Sequence, residues 1–502
     1  MGQDKKLSQL IDKLNQGQPQ SAECGIKDER LLTAAAGCEG LTVSGVTADS
    51  RQVEPGTLFI CKGFGFKKEY LLSAKNAGAS CYISEQVYEG IELPYIQVSD
   101  VRKASSLAVQ WFYDYPAKSM NVVGITGTKG KTTTANILKR IYDTAAPRKT
   151  ALFSTGRVDT VKEQYDTHLT TPEPVELQQY FEESRDAGCR HVVMEVSSQA
   201  MKMSRVYGMD FDYGVFLNVG EDHVGDREHP TLEDYVQCKT SFLSQCKTAV
   251  INRHTEHFEL AMEKARAGGA KCIVYGYDSD CEVQLRNVHS GSGGMSFELM
   301  YHGDWYTFSS NLIGAFNVDN LAAAIIVALE SGISAGTVAQ AVSSVYIPGR
   351  MLVIPVKDFH VVVDYAHNHL SFLRLYEAVR ETFKPHKIHS VFGCQGERSQ
   401  VRRKDLGSLA DMYADEIYLT ADDPGYESVE DICREIQQYI HRESMIIPDR
   451  AEAVRTALDR AGAGDVVILG GKGAETTQRV EGHYEPYLSD ELVVRQWMGE
   501  NI

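Results

Sequence analysis

The stretch Gly124-Ile-Thr-Gly-Thr-Lys-Gly-Lys131-Thr-Thr-Thr134 runs from an apolar segment through a glycine-rich turn into a helical pattern. Asn121 to Thr126 reads as a strand, and Lys131 to Tyr142 as the helix after it. Gly127 and Gly130 flank Thr128 and Lys129 and let backbone N–H groups approach phosphate oxygens, while the helix N-terminus adds partial positive charge. Lys131 would reach the outer phosphates of a nucleotide, and the hydroxyl of Thr132, followed by Thr133, would sit on Mg²⁺. One position departs from the usual pattern, which has glycine where this chain has Ile125. An ordinary glycine-rich turn is the alternative; the Gly-Lys-Thr core between strand and helix favours nucleotide binding.

Other polar groups fall just beyond apolar runs. Glu195 closes His191-Val-Val-Met-Glu195 and is followed by Ser197 and Ser198; Asp222 and His223 follow Tyr213 to Val219; Lys239 lies on a helical run from Leu232. Carboxylate, hydroxyl and imidazole near a phosphate loop suit Mg²⁺, because hard cations take oxygen ligands. Singly each has a plainer reading: a strand-end charge, a loop histidine, a solvated helix lysine. Further along, Asp364-Tyr-Ala-His367, Gly396-Glu-Arg398, Asp422-Asp-Pro-Gly425 and Gly471-Lys-Gly-Ala-Glu475 each follow a buried strand pattern. Four such loops on one sheet edge describe a binding site, although Asp-Asp-Pro-Gly is also a good turn in its own right.

These groups need elements to carry them. At 502 residues the chain is too long for a single core. Residues 1 to about 118 mix short strand signals (Leu41 to Val46, Thr57 to Cys61, Cys81 to Ser84) with helical stretches such as Val101 to Tyr113. After the nucleotide loop, continuous apolar runs at His191 to Glu195, Tyr213 to Val219 and Ala249 to Asn252 suit parallel strands buried on both faces. Cys272 to Phe308 reads as antiparallel strands, with Ser290 to Gly294 as a hairpin turn. Beyond Pro348-Gly-Arg350 the alternation restarts at Val361 to Asp364, Ser390 to Gly393, Glu416 to Thr420 and Asp465 to Leu469, with a helix from Ser428 to Ile440 opened by a Ser-x-x-Asp cap. The expected fold is α/β in three domains, the central and C-terminal ones doubly wound.

The bulk composition excludes several classes. A net charge of −17 repels nucleic acid and anionic lipid, so neither is an expected partner. No apolar run approaches the roughly 18 residues of a membrane helix, and no membrane insertion is expected. Eleven cysteines without Cys-x-x-Cys spacing argue for reduced thiols in a cytoplasmic protein.

On its motifs the chain resembles the Mur ligases from end to end, in particular their tripeptide-synthetase branch. The matching stretches are Asp49-Ser-Arg51, Thr126 to Thr133, Thr170-Thr-Pro-Glu173, Met194 to Ser198, Asp222-His223 with Lys239, Gly314-Ala-Phe-Asn317, Pro348-Gly-Arg350 and the four C-terminal loops. That family does not require the first glycine, which accounts for Ile125. The resemblance implies a UDP-sugar-binding domain over residues 1–118, an ATP-binding domain over 119–347 and an amino-acid-binding domain over 348–502. It implies ATP-dependent amide formation: a substrate carboxylate becomes an acyl phosphate, and an amine then displaces phosphate. Lys131, Glu195, His223, Lys239 and His367 are the implied catalytic residues. Thr132 and Glu195 would hold one Mg²⁺ and His223 another, with Lys239 carrying a CO₂-derived carbamate. Asn317, Arg350 and Asp364 match positions that contact ATP. Ser50, Thr170, Thr171, Ser197 and Arg205 match positions holding the UDP-MurNAc-dipeptide, with Leu169 and Met203 departing from relatives nearby.

Relatives that add meso-diaminopimelate carry Asp-Asn-Pro-Arg, whose arginine pairs with the second carboxylate of that substrate. Here Gly425 supplies no guanidinium and Asp423 adds negative charge. With Asp422, Gly471 and Glu475 the pocket suits a terminal ammonium, and Arg398 would take the α-carboxylate. The implied partners are UDP-MurNAc-L-Ala-D-Glu and L-lysine, handled by a monomer in peptidoglycan synthesis. The alternatives are the same reaction with meso-diaminopimelate or another diamino acid, and a non-catalytic nucleotide-binding scaffold. Folylpolyglutamate synthase shares the loop and the acyl-phosphate chemistry but typically lacks the segment carrying Asp49-Ser-Arg51.

Overall fold

A computed structural model of the chain describes residues 4–16, 30–63, 65–167, 169–220, 229–397 and 400–500. Residues 1–285, 299–305 and 319–338 make one compact unit, and 286–298, 306–318 and 339–502 a second.

Near the N-terminus, β1 (Leu32–Ala36), β2 (Gly45–Thr47), β3 (Thr57–Ile60), β4 (Cys81–Ser84) and β5 (Tyr95–Val98) form a sheet in the order β1-β5-β4-β3-β2. Only β1 runs antiparallel to its neighbour. Helix α1 (Val101–Phe112) follows, opened by Asp100, whose carboxylate accepts from the N–H groups of Arg102 and Lys103.

The nucleotide-loop strand β6 (Asn121–Thr126) and helix α2 (Lys131–Ala145) fall where the apolar run and the Gly-Lys-Thr core put them. Next come β7 (Thr150–Ser154), β8 (Gly156–Asp159), β9 (Gln164–Thr167), β10 (His191–Glu195), the short helix α3 (Ser198–Lys202), β11 (Phe211–Phe216), α4 (Leu232–Ser241), β12 (Cys246–Asn252) and β13 (Lys271–Gly276). Then follow β14 (Val283–Gly291), β15 (Gly294–Tyr301), β16 (Asp304–Ser310) and α5 (Asn317–Glu330). The sheet order is β9-β8-β7-β10-β6-β11-β12-β13-β14-β15-β16. From β7 through β14 every pairing is parallel. The strand expected from Tyr213 to Val219 ends early, at Phe216, because Leu217 to Val219 leave the sheet to back the nucleotide loop. The segment expected to be antiparallel from Cys272 begins instead with the parallel strand β13, whose Ile273 and Tyr275 are buried like those of its neighbours.

Register aligns the carboxyl ends: Glu195 pairs with Ile125, and Phe216 with Thr126. The chain leaves β6 for β7 on one side and β10 for β11 on the other, so the crevice between β6 and β10 is the point where strand order reverses. Ligands of open α/β sheets bind there.

The second unit repeats the theme. Strands β17 (Leu352–Val356), β18 (Phe359–Asp364), β19 (Ile388–Phe392), β20 (Glu416–Leu419), β21 (Ser444–Ile446) and β22 (Val466–Gly470) run in the order β17-β18-β22-β19-β20-β21. Only β17 is antiparallel to its partner. The helix read from Ser428 forms as α6 (Val429–Gln437), with the Ser428 hydroxyl accepting from the N–H of Asp431. A hairpin of β23 (Thr477–Val480) and β24 (His483–Pro486) lies past the last parallel strand.

Candidate active site

Gly130 caps α2 with φ +89°, a left-handed conformation open to glycine. A Cβ at that position would stand 2.2 Å from the Asn320 Oδ1 atom, so the turn has no room for a side chain either. The loop is latched from the neighbouring strand's exit. The Thr128 N–H donates to the Asn218 carbonyl at 2.9 Å, the Lys129 N–H to Asn218 Oδ1 at 2.9 Å, and Asn218 Nδ2 to the Lys129 carbonyl at 3.1 Å. Lys131 folds back over the turn, donating to the Gly127 carbonyl at 2.9 Å. Lys131, Thr132 and Thr133 occupy the first turn of α2, whose leading N–H groups have no partner within the helix.

Across the crevice, Glu195 is fully buried at the end of β10. Its Oε1 accepts from the Thr132 hydroxyl at 2.8 Å, from the Thr155 N–H at 3.0 Å and from the Ser154 hydroxyl; Oε2 accepts from the Thr155 hydroxyl at 3.2 Å. Among the described residues no cationic side chain pairs with this carboxylate. A buried carboxylate held only by hydroxyls and an amide, beside a phosphate cradle, is an oxygen donor set that fits Mg²⁺.

The residues expected to hold the sugar dipeptide lead away from Glu195 in a chain of contacts. The Thr155 and Thr170 hydroxyls meet at 3.1 Å; the Thr171 hydroxyl donates to the Glu195 carbonyl at 2.9 Å and accepts from the Ser197 N–H at 3.1 Å. Arg205 donates to the Thr171 carbonyl at 3.1 Å and to Glu173 at 2.7 Å, and Lys62 donates to the other Glu173 oxygen at 2.9 Å. Burial alone would push the Glu173 carboxyl up, but Lys62 and Arg205 outweigh it and hold the group below its ordinary value. Ser50 lies on a one-turn helix beyond β2, where the Arg51 guanidinium binds Asp49 at 2.7 Å and holds its carboxyl at about 2. Ser50 makes no hydrogen bond to the others.

Lys239 is buried on α4, with Nζ 4.7 Å from the centre of the Tyr235 ring. The Tyr235 hydroxyl meets the Thr128 hydroxyl at 2.8 Å, so one tyrosine joins the lysine's surroundings to the nucleotide loop. Asp222 and His223 lie outside the described residues.

In the second unit, Asp364 accepts from the Met351 and Ala366 N–H groups, each at 2.7 Å, fixing the turns on both sides of it. Arg350 stacks on the Tyr365 ring at 4.4 Å, and His367 Nδ1 contacts the Tyr365 carbonyl at 2.8 Å. Asn317 is buried, its amide donating to the Ile313 carbonyl at 2.8 Å.

The four C-terminal loops expected to form the amino-acid pocket are laced together. Gly396 donates its N–H to the Asp423 carbonyl at 2.8 Å, Gly425 to the Arg479 carbonyl at 3.1 Å, and Glu481 to the Gly425 carbonyl at 2.7 Å. At their centre the buried Lys472 binds Asp423 at 2.8 Å and Glu475 at 2.6 Å. Burial would lower the Lys472 pKa, yet Asp422, Glu475 and Asp423 raise it instead. Asp422 is buried with Oδ1 unpartnered, and burial pushes its carboxyl up to about 6, with Lys472 opposing and Asp423 adding to the rise. A Cβ on Gly471 would stand 2.9 Å from Asp422 Oδ2. Asp423 and Glu475 thus share one internal cation, which leaves the cluster acidic but less so than the sequence alone suggests. Arg398 lies outside the described residues.

Sequence reasoning missed Ser154 and Thr155, the other hydroxyls on Glu195, and Asn218, the latch. It also missed the buried His229, set between Asp234 at 2.7 Å and Ser198 at 3.0 Å, and Lys472 itself. Only Lys472 carried a signal, lying inside a loop already singled out.

Two family models match: the Mur ligase middle domain over residues 125–328 and the Mur ligase glutamate ligase domain over 349–473. The chain is 38% identical over 458 residues to UDP-N-acetylmuramoyl-L-alanyl-D-glutamate--L-lysine ligase of Enterococcus faecalis, covering 89% of this chain and 90% of that one. It is 36% identical to UDP-N-acetylmuramyl-tripeptide synthetase of Lactobacillus delbrueckii subsp. bulgaricus, covering 95% and 97%. Among solved structures it is similar to a UDP-N-acetylmuramoyl-L-alanyl-D-glutamate--2,6-diaminopimelate ligase, with a TM-score of 0.66 and 27% identity over 91% of this chain and 95% of the other. With two matching domain models and full-length relatives of this similarity, the chain belongs to the Mur ligase family.

Proposed function

We propose that this chain is an ATP-dependent ligase that joins L-lysine to UDP-N-acetylmuramoyl-L-alanyl-D-glutamate in peptidoglycan synthesis, with release of ADP and phosphate. The observation that carries the reading is the buried Glu195 carboxylate held by Thr132 at 2.8 Å beside a preformed phosphate cradle. Relatives whose names state this substrate and lysine support it. In this reading residues 1–118 bind the UDP-sugar, 119–347 bind ATP and 348–502 bind the amino acid, one sheet serving each role.

An oxygen of the D-glutamyl carboxylate attacks the γ-phosphorus of ATP, forming a C–O–P linkage as ADP leaves. The lysine α-amine, once deprotonated, attacks the acyl carbon, and the tetrahedral species expels phosphate as the amide forms. Negative charge grows on phosphoryl oxygens in the first step. The leading N–H groups of α2 would meet it in place, and Lys131, folded over the turn onto the Gly127 carbonyl, would swing out to it. Thr132 and Glu195 would hold a Mg²⁺ and His223 a second, supplying charge neutralisation at those oxygens. Lys239 is the residue we assign to carbamylation. Thr170, Thr171, Ser197 and Arg205, with Ser50, would hold the sugar dipeptide. Asn317, Arg350 and Asp364 would contact ATP, and His367 would approach it. Arg398 would take the lysine α-carboxylate, and Asp422, Asp423, Gly471 and Glu475 would face its side chain. The free cysteines of the described residues support a cytoplasmic reading, and we take the enzyme to act as a monomer.

Phosphate release with ATP, Mg²⁺, the UDP-MurNAc-dipeptide and single amino acids tests the reaction. Lysine should be turned over; turnover of diaminopimelate but not lysine would overturn the substrate assignment. Lys239→Ala should be inactive and partly restored by short-chain carboxylates, and failure of every carboxylate tried would count against the carbamate.

A further inference from the structure

Gly425 has φ +62°, and the group nearest its missing side chain is Glu397: a Cβ there would stand 2.8 Å from Glu397 Oε2 and 3.7 Å from Arg479 Nη1. Those two side chains pair at 3.0 Å, and both remain partly exposed (42% and 35%). A guanidinium therefore lies beside position 425 after all, delivered by β23 rather than by residue 425, and a carboxylate holds it.

The arrangement is braced from each side. Glu397 has φ +57°, rare for a residue with a side chain, and its N–H donates to Glu427, which the buried Arg403 holds at 2.7 Å. The Arg479 N–H donates to Asp423 at 3.1 Å, and its carbonyl accepts from Gly425. Holding Glu397 in a sparsely populated conformation needs such bracing, and it keeps the carboxylate on the guanidinium.

We propose that Glu397 is a specificity-determining residue: it neutralises Arg479, which would otherwise offer a carboxylate-binding fork beside the amino-acid pocket, and it turns that edge toward a side-chain ammonium. This rests on the ligase reading above. Arginine forks bind carboxylates in two-point fashion, so an unmatched Arg479 would favour a diamino acid bearing a second carboxylate. Building a repulsive or silenced group against the wrong ligand is as effective for selectivity as adding a contact to the right one.

The test compares wild type, Glu397→Gln, Arg479→Met and the double variant, using kcat/KM for L-lysine and for meso-diaminopimelate. Glu397→Gln keeps the shape and removes the charge. It should shift the ratio about tenfold or more toward diaminopimelate, chiefly through KM. The shift should vanish in the double variant, and Arg479→Met alone should not produce it. An unchanged ratio in Glu397→Gln, or a shift that survives loss of Arg479, overturns the inference while lysine turnover by the wild type stands. Absence of wild-type turnover with either amino acid overturns the ligase reading and this inference with it.

Discussion

The phosphate cradle and the C-terminal loops proposed to bind the amino acid are both built at the carboxyl edge of parallel strands, yet they are organised in opposite ways. The cradle is one contiguous stretch, Gly127 to Thr133, latched by Asn218 and Tyr235 and facing one buried carboxylate. The C-terminal loops come from four separate strand ends and a hairpin, and are held by charge shared around Lys472 and by backbone bonds between loops. A site built for one invariant group, such as a phosphate, can be encoded locally. The second cluster, which we propose chooses among amino acids, is assembled from distant pieces, each of which can change alone in sequence.

The sharpest way to break this contrast is at the cradle. Lys131→Ala should cut kcat by about 10³-fold, since it removes charge aimed at the transferring phosphoryl group; a loss below tenfold in phosphate release would mean the cradle positions ATP without stabilising its reaction. In the second region the comparable damage should be structural. Lys472→Met leaves Asp423 and Glu475 without their cation and should destabilise that unit by about 3–5 kcal/mol. Urea unfolding that shifts by less than about 1 kcal/mol would show that the carboxylates relax into solvent.

Acidity offers a finer test. Asp422 has a folded-state pKa of about 6 against an ordinary 3.8, so between about pH 4 and 6 the folded chain holds a proton the unfolded chain has lost. The stability owed to this group therefore falls as pH rises through that window. Asp422→Asn should remove that decline, so the variant gains on the wild type from pH 4 to pH 6; parallel urea midpoints across the window would contradict the shift. The smallest effect belongs to the latch. Asn218→Ala loses two bonds to Lys129 and should raise the KM for ATP about fivefold, equivalent to about 1 kcal/mol, with kcat little changed.

Much of the fold was legible for a physical reason. Strands buried on both faces are continuous apolar runs, and β6 and β10 begin and end where those runs do. Lys131, Thr132 and Glu195 were legible because a phosphate loop and a strand-end carboxylate have local signatures, and the structure brings Thr132 and Glu195 into contact. The latch was not, because Asn218 looks like any asparagine leaving a strand. Nor was β7, whose buried Thr150 and Ser154 blunt its apolar signal. Lys472 lay inside a recognised motif, but its three carboxylate neighbours follow from which loops meet, and that is a tertiary fact. Gly425 read as a position without a guanidinium; that Arg479 stands beside it depends on a hairpin more than fifty residues downstream.

The lacing of those loops also governs how the second site comes apart. The amides of Gly396, Gly425, Arg479 and Glu481 each donate to a group on a different loop, so none can open without releasing another. Their hydrogens should exchange with solvent at one shared rate set by a single cooperative opening, not by four independent ones. Thermal motion would then dissolve the four-loop cluster as a whole and offer no half-loosened form in which one loop stands open alone.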